Sequence, residues 1–370
     1  MSSPRPDPTA QRKAAFKAPL RAPDPQNARR AAALIEQQRS RQQRQNATRT
    51  DIEQFQALSL STETDDEDGA EIDRTEGVAK YVSSLQPSGP AGALHEHGHR
   101  KKKVSRWANV CMYAELLEMN QDPVVDMENG QPSDGLPEDL EDNWIAVAPI
   151  PLGKRCLAVS TPANGVGGVV SITALKSRLK GHTLLKFPSS LPANTILDCI
   201  LDANWQKTGI LHVLDVIRWR GMAFDDCSAD MRFWWRDVRL QEIGQLRPEI
   251  DPAEGFQYPV FFFPVPYTDK PSISTFFTSI IPQCRVQRPL QVLVPTASAG
   301  DDEMEIDQAA LQRRDVAIDP DGILLYVRET YYESGTSPLC VWVPSKSLSP
   351  ENNSQSPLDV FESILRRRVG

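Results

Sequence analysis

Two neighbouring runs decide the fold: Thr195-Ile-Leu-Asp-Cys-Ile-Leu201 and Ile210-Leu-His-Val-Leu-Asp-Val-Ile-Arg-Trp219. Both are rich in β-branched and other apolar residues and stand between turn residues, a pattern typical of strands. Similar runs recur along the chain, at 144–149, 155–160, 232–236, 258–263, 291–294, 322–328 and 339–343. Helical patterns are few, and we expect them at 107–119 and 272–280. The sequence therefore predicts one mainly β, α+β domain over residues 106–350, large enough for a full core.

The chain on either side of this domain has a different composition. Residues 1–50 contain eleven Arg and Lys against three Asp and Glu, so their formal charge is +8. Residues 51–76 contain one Arg against ten acids, so theirs is −9. This adjacency is typical of an electrostatic interaction tail, and it raises the hypothesis that the acidic stretch 63–76 masks the basic helix. We expect a flexible linker over 51–105 and a polar tail over 351–370.

A single helix is predicted in the basic arm, over about residues 25–47. Asp24 is a good N-cap, Pro25 suits the first helical position, and the run that follows is rich in helix formers. One face of this helix combines guanidinium groups with a small apolar anchor: Arg30, Leu34, Arg41 and Arg44. Its apolar content is too low for a core helix, so we expect it to fold on a partner, either RNA or an acidic protein.

The sequence lacks the residues that characterise several functional classes. No apolar run is long enough for a secretory signal or a membrane span, and the most apolar window, 258–267, contains three prolines. The six cysteines include no C-x-x-C pair, and His95, His97 and His99 lack a fourth ligand, so no metal or cofactor is expected. No nucleotide-binding, hydrolase or metalloprotease motif occurs, which favours a binding protein over an enzyme.

Tryptophan and the basic side chains indicate a class of ligand. Trp342 stands near the end of a predicted strand, where an indole face can meet a ligand, although its location alone favours a core position. Cations that could reach phosphates occur at Lys154, Arg155, Lys176, Lys180 and Lys186. An aromatic platform beside several cations is how single-stranded RNA ends and modified bases are held.

A series of motifs in a fixed order relates the chain to a known family. They are Trp107-Ala-Asn109, Asn143-Trp-Ile145, Leu152-Gly-Lys-Arg155, Phe187-Pro-Ser-Ser-Leu-Pro192, Thr195-Ile-Leu-Asp-Cys-Ile200, Val213-Leu-Asp-Val216, Trp219-Arg-Gly221, Asp226-Cys227, Arg232-Phe233, Asp321-Gly-Ile-Leu-Leu-Tyr326 and Ser337-Pro-Leu339 with Trp342. Through them the chain resembles the snurportin family. The resemblance implies a mainly antiparallel β domain similar to the guanine-binding domain of mRNA capping enzymes and nucleotidyltransferases. The K-x-D-G motif of those enzymes is absent, so the resemblance implies binding without catalysis.

The resemblance also implies a nuclear import adaptor that shuttles between cytoplasm and nucleus. Its ligand would be the 2,2,7-trimethylguanosine cap of spliceosomal uridine-rich snRNAs in their snRNPs, and its receptor would be importin-β. The residues implied in importin-β binding are Arg29, Arg30, Leu34, Arg39, Arg41 and Arg44. Family members dock into exportin through N-terminal leucines that Met1–Ala10 lacks, so exportin stays an open partner.

The implied cap site consists of Trp342, Lys180, Arg155, Lys154, Leu116, Tyr113 and Glu115. Trp342 would stack on the methylated guanine, and Lys180 would contact the cap phosphates, with Arg155 and Lys154 as further candidates. Where the family has Ser-Glu-Trp near the N2 methyl groups, this chain has Ala114-Glu115-Leu116. Leu116 can contact methyl groups without cation–π attraction, and Tyr113 is expected nearby on the same helix.

Two alternative functions stay open at this point. One is a transport adaptor whose cap selectivity is lost or relaxed, so that it takes a monomethyl cap or a protein cargo. The other is a residual nucleotidyltransferase, which would form a covalent nucleotide adduct.

Overall fold

The computed structural model describes residues 25–60, 105–120, 124–125, 132–163, 171–243, 250–251, 255–295, 311–347 and 355–369. These residues form a mixed α+β structure in which most strand pairs are antiparallel. The expectation of a mainly antiparallel α+β fold is therefore confirmed. Among the helices in these ranges, none combines the length and apolar composition that a membrane span needs.

The first sheet has five strands in the order β1-β18-β17-β4-β14. They are β1 (Met112–Leu116), β18 (Gly335–Pro344), β17 (Pro320–Val327), β4 (Trp144–Pro151) and β14 (Tyr267–Asp269). Neighbouring strands run antiparallel, except that β1 lies parallel to β18 at the sheet edge. Every residue of β4 is buried, which explains its continuous apolar sequence, because such a strand is covered on both faces.

The second sheet follows the order β10-β9-β8-β5-β6-β7, and β13 joins it parallel to β9. Its strands are β5 (Gly153–Thr161), β6 (Ser171–Ser177), β7 (Thr183–Ser189), β8 (Ile196–Asp202), β9 (Ile210–Trp219), β10 (Met222–Ala223) and β13 (Phe261–Pro264). The two decisive runs of the sequence are β8 and β9, which pair antiparallel. The prediction that both runs form strands is confirmed.

The remaining elements are short strand pairs and helices. The pairs are β2 (Val124–Val125) with β3 (Pro132–Ser133), β11 (Ile250–Asp251) with β12 (Gly255–Phe256), and β15 (Arg288–Pro295) with β16 (Leu311–Ile318). The helices are α1 (Gln26–Leu60), α2 (Trp205–Thr208), α3 (Ala229–Gln241), α4 (Ile273–Thr275), a π-helical turn (Phe276–Ile280), α5 (Ile281–Gln283) and α6 (Pro357–Val369).

The core holds two tryptophans and also two buried arginines. Trp144 and Trp219 are 0% and 4% exposed. Arg232 pairs with the buried carboxylate of Asp215 at 3.0 Å. Arg236 donates to backbone carbonyls of β9 and of the segment after β13. Both arginines lie on α3, so they fix this helix to the second sheet.

The predicted strand over 232–236 is wrong, because this segment belongs to α3. Its aromatic residues favour a strand locally, but the buried side chains recur at helical spacing from Ala229 through Phe233 to Leu240. Trp235 therefore lies on a helix, half-buried against Phe224 at 4.9 Å between ring centroids.

The predicted helix over 107–119 is also wrong. Met112–Leu116 forms β1, although Met, Ala, Glu and Leu are strong helix formers. Tertiary pairing with β18 overrides that local preference. Residues 113 and 116 consequently lie three positions apart on one strand and do not share a helix face.

The polar tail predicted over 351–370 contains an ordered element instead. Residues 357–369 form α6, which buries Leu358, Phe361, Ile364 and Leu365 in the core. The ring of Phe361 meets Phe276 edge-on at 5.4 Å. The spacing of these four residues is that of an amphipathic helix, which the polar run before it, residues 352–356, obscured.

Helix α1 begins at Gln26, one residue after its predicted start at Pro25, and runs past residue 47 to Leu60, into the segment expected to be a linker. Its first part, up to Arg39, belongs to the same compact unit as the described residues from 105 onward, and its later part to a second unit. The expected N-cap Asp24 and the rest of the acidic linker lie outside the described residues.

Candidate nucleic-acid interface

Trp342 lies in β18 between two strands of the first sheet. Its register partners are Leu116 on β1 and Leu324 on β17. Paired residues of neighbouring strands point to the same face, so the indole and the Leu116 side chain are adjacent. Trp342 is half-buried and packs against the main core. The indole is thus fixed by the core and still retains some exposed surface.

Leu116 is held beside Trp342 by the backbone. The amide of Leu117 donates to the carbonyl of Trp342 at 3.1 Å. Leu116 itself is half-buried. The structure therefore brings together Trp342 and Leu116, two of the residues expected in the cap site.

Tyr113 contacts the turn between β6 and β7. Its hydroxyl donates to the carbonyl of Arg178 at 2.9 Å, and the Arg178 guanidinium lies over its ring at 5.5 Å. Burial raises the pKa of the phenol well above its ordinary value, so the hydroxyl stays protonated as a donor. The expectation that Tyr113 lies on nearly the same face as Leu116 rested on a helix and is not supported.

Lys180 lies in the tight turn between β6 and β7, a hairpin that the sequence analysis missed. Gly181 has a φ of +64°, and a Cβ there would lie 2.6 Å from the amide nitrogen of Ala108. The carbonyl of Gly181 accepts from the Ser105 hydroxyl at 3.0 Å. The turn is therefore pressed against the segment before β1, while the Lys180 side chain is exposed.

Lys154 lies at the same end of the second sheet as Lys180. Strands β5 and β6 run antiparallel, and Cys156 near the start of β5 pairs with Ser177 at the end of β6. Lys154 lies two residues before Cys156 and Lys180 three residues after Ser177, so both lysines lie at this end of the sheet. Lys154 is exposed, as the phosphate role expected for it requires.

Arg155, in contrast, is committed to a buried ion pair. Its Nε and Nη2 donate to the two carboxylate oxygens of Asp198 at 2.7 and 2.8 Å, and Nη2 also donates to the carbonyl of Met112 at 3.0 Å. Asp198 is fully buried and accepts from the Tyr332 hydroxyl at 2.6 Å. Burial alone would lower the pKa of the guanidinium, but the charge of Asp198 outweighs it and holds that pKa above the ordinary value. This geometry opposes the expected phosphate contact and assigns Arg155 a structural role.

Glu115 is likewise occupied. Its carboxylate, 4% exposed, accepts from Arg29 Nη2 at 2.6 Å and from Gln26 Nε2 at 3.1 Å. Both donors belong to α1. Because residues alternate along a strand, Glu115 points away from the face that carries Leu116. The structure therefore places Glu115 against α1 rather than beside Trp342.

Some of the residues expected to bind importin-β contact the folded domain, and others are exposed. Arg29, Arg30 and Leu34 contact the described part of the domain. Arg39 and Arg44 are exposed, and Arg41 is half-buried. The face predicted to need a partner therefore already contacts this chain's own sheet along its first part.

In the part of the chain that the structure describes, no group of three or more His, Cys, Asp or Glu side chains could hold a metal ion. Burial raises the pKa of the Cys156 and Cys340 thiols to about 12, so both stay protonated. His212 contacts Asp202 at 3.2 Å in the interior.

Comparison with known families adds an identification. Residues 133–282 match the family described as Snurportin1, m3G cap-binding domain. Over this range the chain is similar to a snurportin cap-binding domain. The matched snurportin range contains Lys154 and Lys180. Leu116 and Trp342 lie outside it, on β1 and β18, which complete the same sheet as the matched strand β4.

Proposed function

We propose that this protein is a nuclear import adaptor that binds the 2,2,7-trimethylguanosine cap of spliceosomal uridine-rich snRNAs and links the snRNP to importin-β. The single observation that carries the proposal is the pairing of Trp342 with Leu116 on the sheet completed by the snurportin domain. The protein would act by binding alone, since the chain lacks the nucleophilic K-x-D-G motif. Its fold would be that of the guanine-binding domain of capping enzymes.

The chemistry of the cap suits these side chains. Methylation at N7 makes the guanine a cation, so the exposed part of the Trp342 indole attracts it beyond ordinary stacking. The adjacent Leu116 offers apolar contact to the N2 methyl groups. Lys180 and Lys154, both exposed at one end of the second sheet, supply cations for the phosphates.

The arginine helix would supply the second activity. Residues 29–44 of α1 contain five arginines against one glutamate, which suits an acidic protein surface. The cap-binding domain favours this role over RNA binding by the helix, because the domain already provides an RNA site. Import and release would place the protein in both cytoplasm and nucleus. Exportin stays an open partner for recycling, because Met1–Ala10 lacks the leucines through which family members dock into it.

A second candidate is favoured by one specific observation. Leu116 replaces a tryptophan, so the N2 methyl groups lose a cation–π partner. An adaptor with relaxed selectivity between trimethyl and monomethyl caps is therefore the alternative. A residual nucleotidyltransferase has less support, because it needs the missing motif.

The test is calorimetric titration of the full chain with a trimethylguanosine-capped dinucleotide, its monomethyl counterpart and GTP. We expect the trimethyl cap to bind most tightly, and Trp342→Ala to abolish the binding. The matched control is Trp234→Ala, since Trp234 is 50% exposed on α3 and lies in no part of the proposed site. Equal affinity for the two caps would select the relaxed adaptor. Loss of binding in neither variant would refute the proposed site.

A further inference from the structure

The first part of α1 docks on the first sheet through one face. Gln26, Arg30 and Gln37 are 2%, 7% and 4% exposed. Ala33 and Leu34, on the same face, pack against the main core. The opposite face carries Ile35, 67% exposed, and the exposed Arg39. A helix with little apolar content has thus found an intramolecular partner.

Gln26 joins the helix to the outer edge of β1. Its Nε2 donates to the carbonyl of Leu116 at 3.0 Å, and its Oε1 accepts from the amide of Glu118 at 3.1 Å. These are the donor and acceptor positions that a further strand would use. The side-chain amide therefore satisfies an edge that would otherwise be open.

Arg29 adds charge pairing beside this amide. Its Nη2 lies 2.6 Å from Glu115 Oε2 and 3.1 Å from Glu118 Oε1. The two side chains of the closer pair are 15% and 4% exposed, so solvent screens this pair only weakly. Two carboxylates on the domain thus hold one of the guanidinium groups expected to bind an acidic receptor.

Arg30 is docked at a cost. Its guanidinium lies 4.6 Å from the centroid of the Trp144 ring, and Nη1 donates to Asn27 at 2.7 Å. Its Nη2, however, is buried without a hydrogen-bond partner among the described residues. Burial lowers the pKa of this guanidinium to about 10. A desolvated and incompletely paired cation makes the docked state reversible rather than permanent.

Gln37 forms the far end of the contact. Its Oε1 accepts from the amide of Tyr331 at 3.1 Å, and its Nε2 donates to the carbonyl of the same residue at 3.4 Å. Gln26 and Gln37 lie eleven positions apart, about 16 Å along the helix. Two glutamines thus fix the ends of a docked segment whose centre carries the arginines.

We propose that Glu115, Glu118, Trp144 and the backbone of Tyr331 form an intramolecular binding site for residues 26–37, which an acidic receptor must displace before it can take Arg29 and Arg30. The guanidinium of Arg29 cannot pair fully with the domain and with a receptor at once. The outward Ile35 and Arg39 offer a first contact from which displacement can proceed. This mechanism places the mask on the folded domain and not on the acidic stretch 63–76, which lies outside the described residues.

The docked helix leaves the proposed cap face open. Glu115 and Leu116 are consecutive on β1 and point to opposite faces of the sheet. The helix occupies the side of Glu115, and Trp342 pairs with Leu116 on the other. Capped RNA can therefore bind while the helix is docked, and only the receptor competes with docking.

The first experiment measures hydrogen exchange of the helix amides in the free full chain. In the double variant Glu115→Gln/Glu118→Gln we expect exchange across residues 30–40 to accelerate about tenfold, since an undocked helix with few apolar residues is marginal. Gln37→Ala should accelerate it too, without changing a charge or β1. The matched control Glu138→Gln/Glu333→Gln neutralises two exposed glutamates and should have no effect.

The second experiment rests on the proposed function and measures binding of purified importin-β to the same chains. If the helix is undocked in about one chain in ten, the apparent affinity for importin-β is about tenfold weaker than that of the undocked helix. The double variant should recover the full affinity. Unchanged exchange in both the double variant and Gln37→Ala would overturn the inference. Accelerated exchange with no importin-β binding to any chain would support the docking site and refute the receptor assigned to the helix.

Discussion

The assignment of Arg155 as a structural residue predicts a large loss of stability in Asp198→Asn. Asp198 is 0% exposed and accepts two hydrogen bonds from Arg155 and one from the Tyr332 hydroxyl. Removing one partner of a buried ion pair strands the other charge, at a cost of about 3–5 kcal/mol in the free energy of unfolding. Urea unfolding followed by circular dichroism measures this loss. The control Glu242→Gln breaks the exposed pair with Arg239 and should cost less than about 1 kcal/mol.

The double variant Arg155→Met/Asp198→Leu sharpens the test. With no charge left to strand, it should recover most of the loss, apart from about 1–3 kcal/mol for the Tyr332 hydroxyl that loses its acceptor. Its affinity for a capped dinucleotide should match that of the unmodified chain. A stability loss in Asp198→Asn no larger than in the control would refute the structural role. A clear fall in cap affinity in the stable double variant would restore Arg155 as a phosphate ligand.

Three further predictions follow from the turn, the cations and the last helix. Gly181→Ala should lower the free energy of unfolding by about 1–3 kcal/mol, because φ at this position is +64° and the new Cβ would meet Ala108. Calorimetry measures the change in Tm, and an unchanged Tm would show that the turn relaxes freely. Lys180→Ala should reduce the slope of log affinity against log salt by roughly 0.7, whereas Lys270→Ala should leave it unchanged. Phe361→Ala should destabilise the domain by about 3–5 kcal/mol in urea, against about 0.5 kcal/mol for the exposed Val369→Ala; similar values would contradict the docking of α6.

Two of the strands that the sequence predicted correctly are buried along most of their length. Trp144–Pro151 is a continuous apolar run and Ile210–Trp219 is rich in apolar residues, so burial makes both recognisable in the sequence. Ser171–Ser177 was missed because its buried positions include hydroxyl side chains. Ser171 and Thr173 contact the hydroxyl of Ser189 across the hairpin, and no apolar pattern announces this.

The candidate site was predictable in its residue types but not in its partners. An isolated tryptophan near a strand end and exposed lysines can be found from sequence. The commitment of Arg155 to Asp198, and of Glu115 to Arg29, depends on pairings across 43 and 86 residues of chain. Local patterns carry no information at that range. Leu116 was found only because the family motif reads differently in this chain.

We propose that the cap binds between Trp342 and Lys180, and photo-crosslinking can locate it there. A trimethylguanosine-capped oligonucleotide with a photoreactive first nucleotide would be irradiated with the full chain, and mass spectrometry would locate the adducts. We predict adducts on peptides that contain Trp342 or Lys180, lost on addition of free trimethylguanosine cap analogue. Competed adducts confined to α3 or to β10 would contradict the claim.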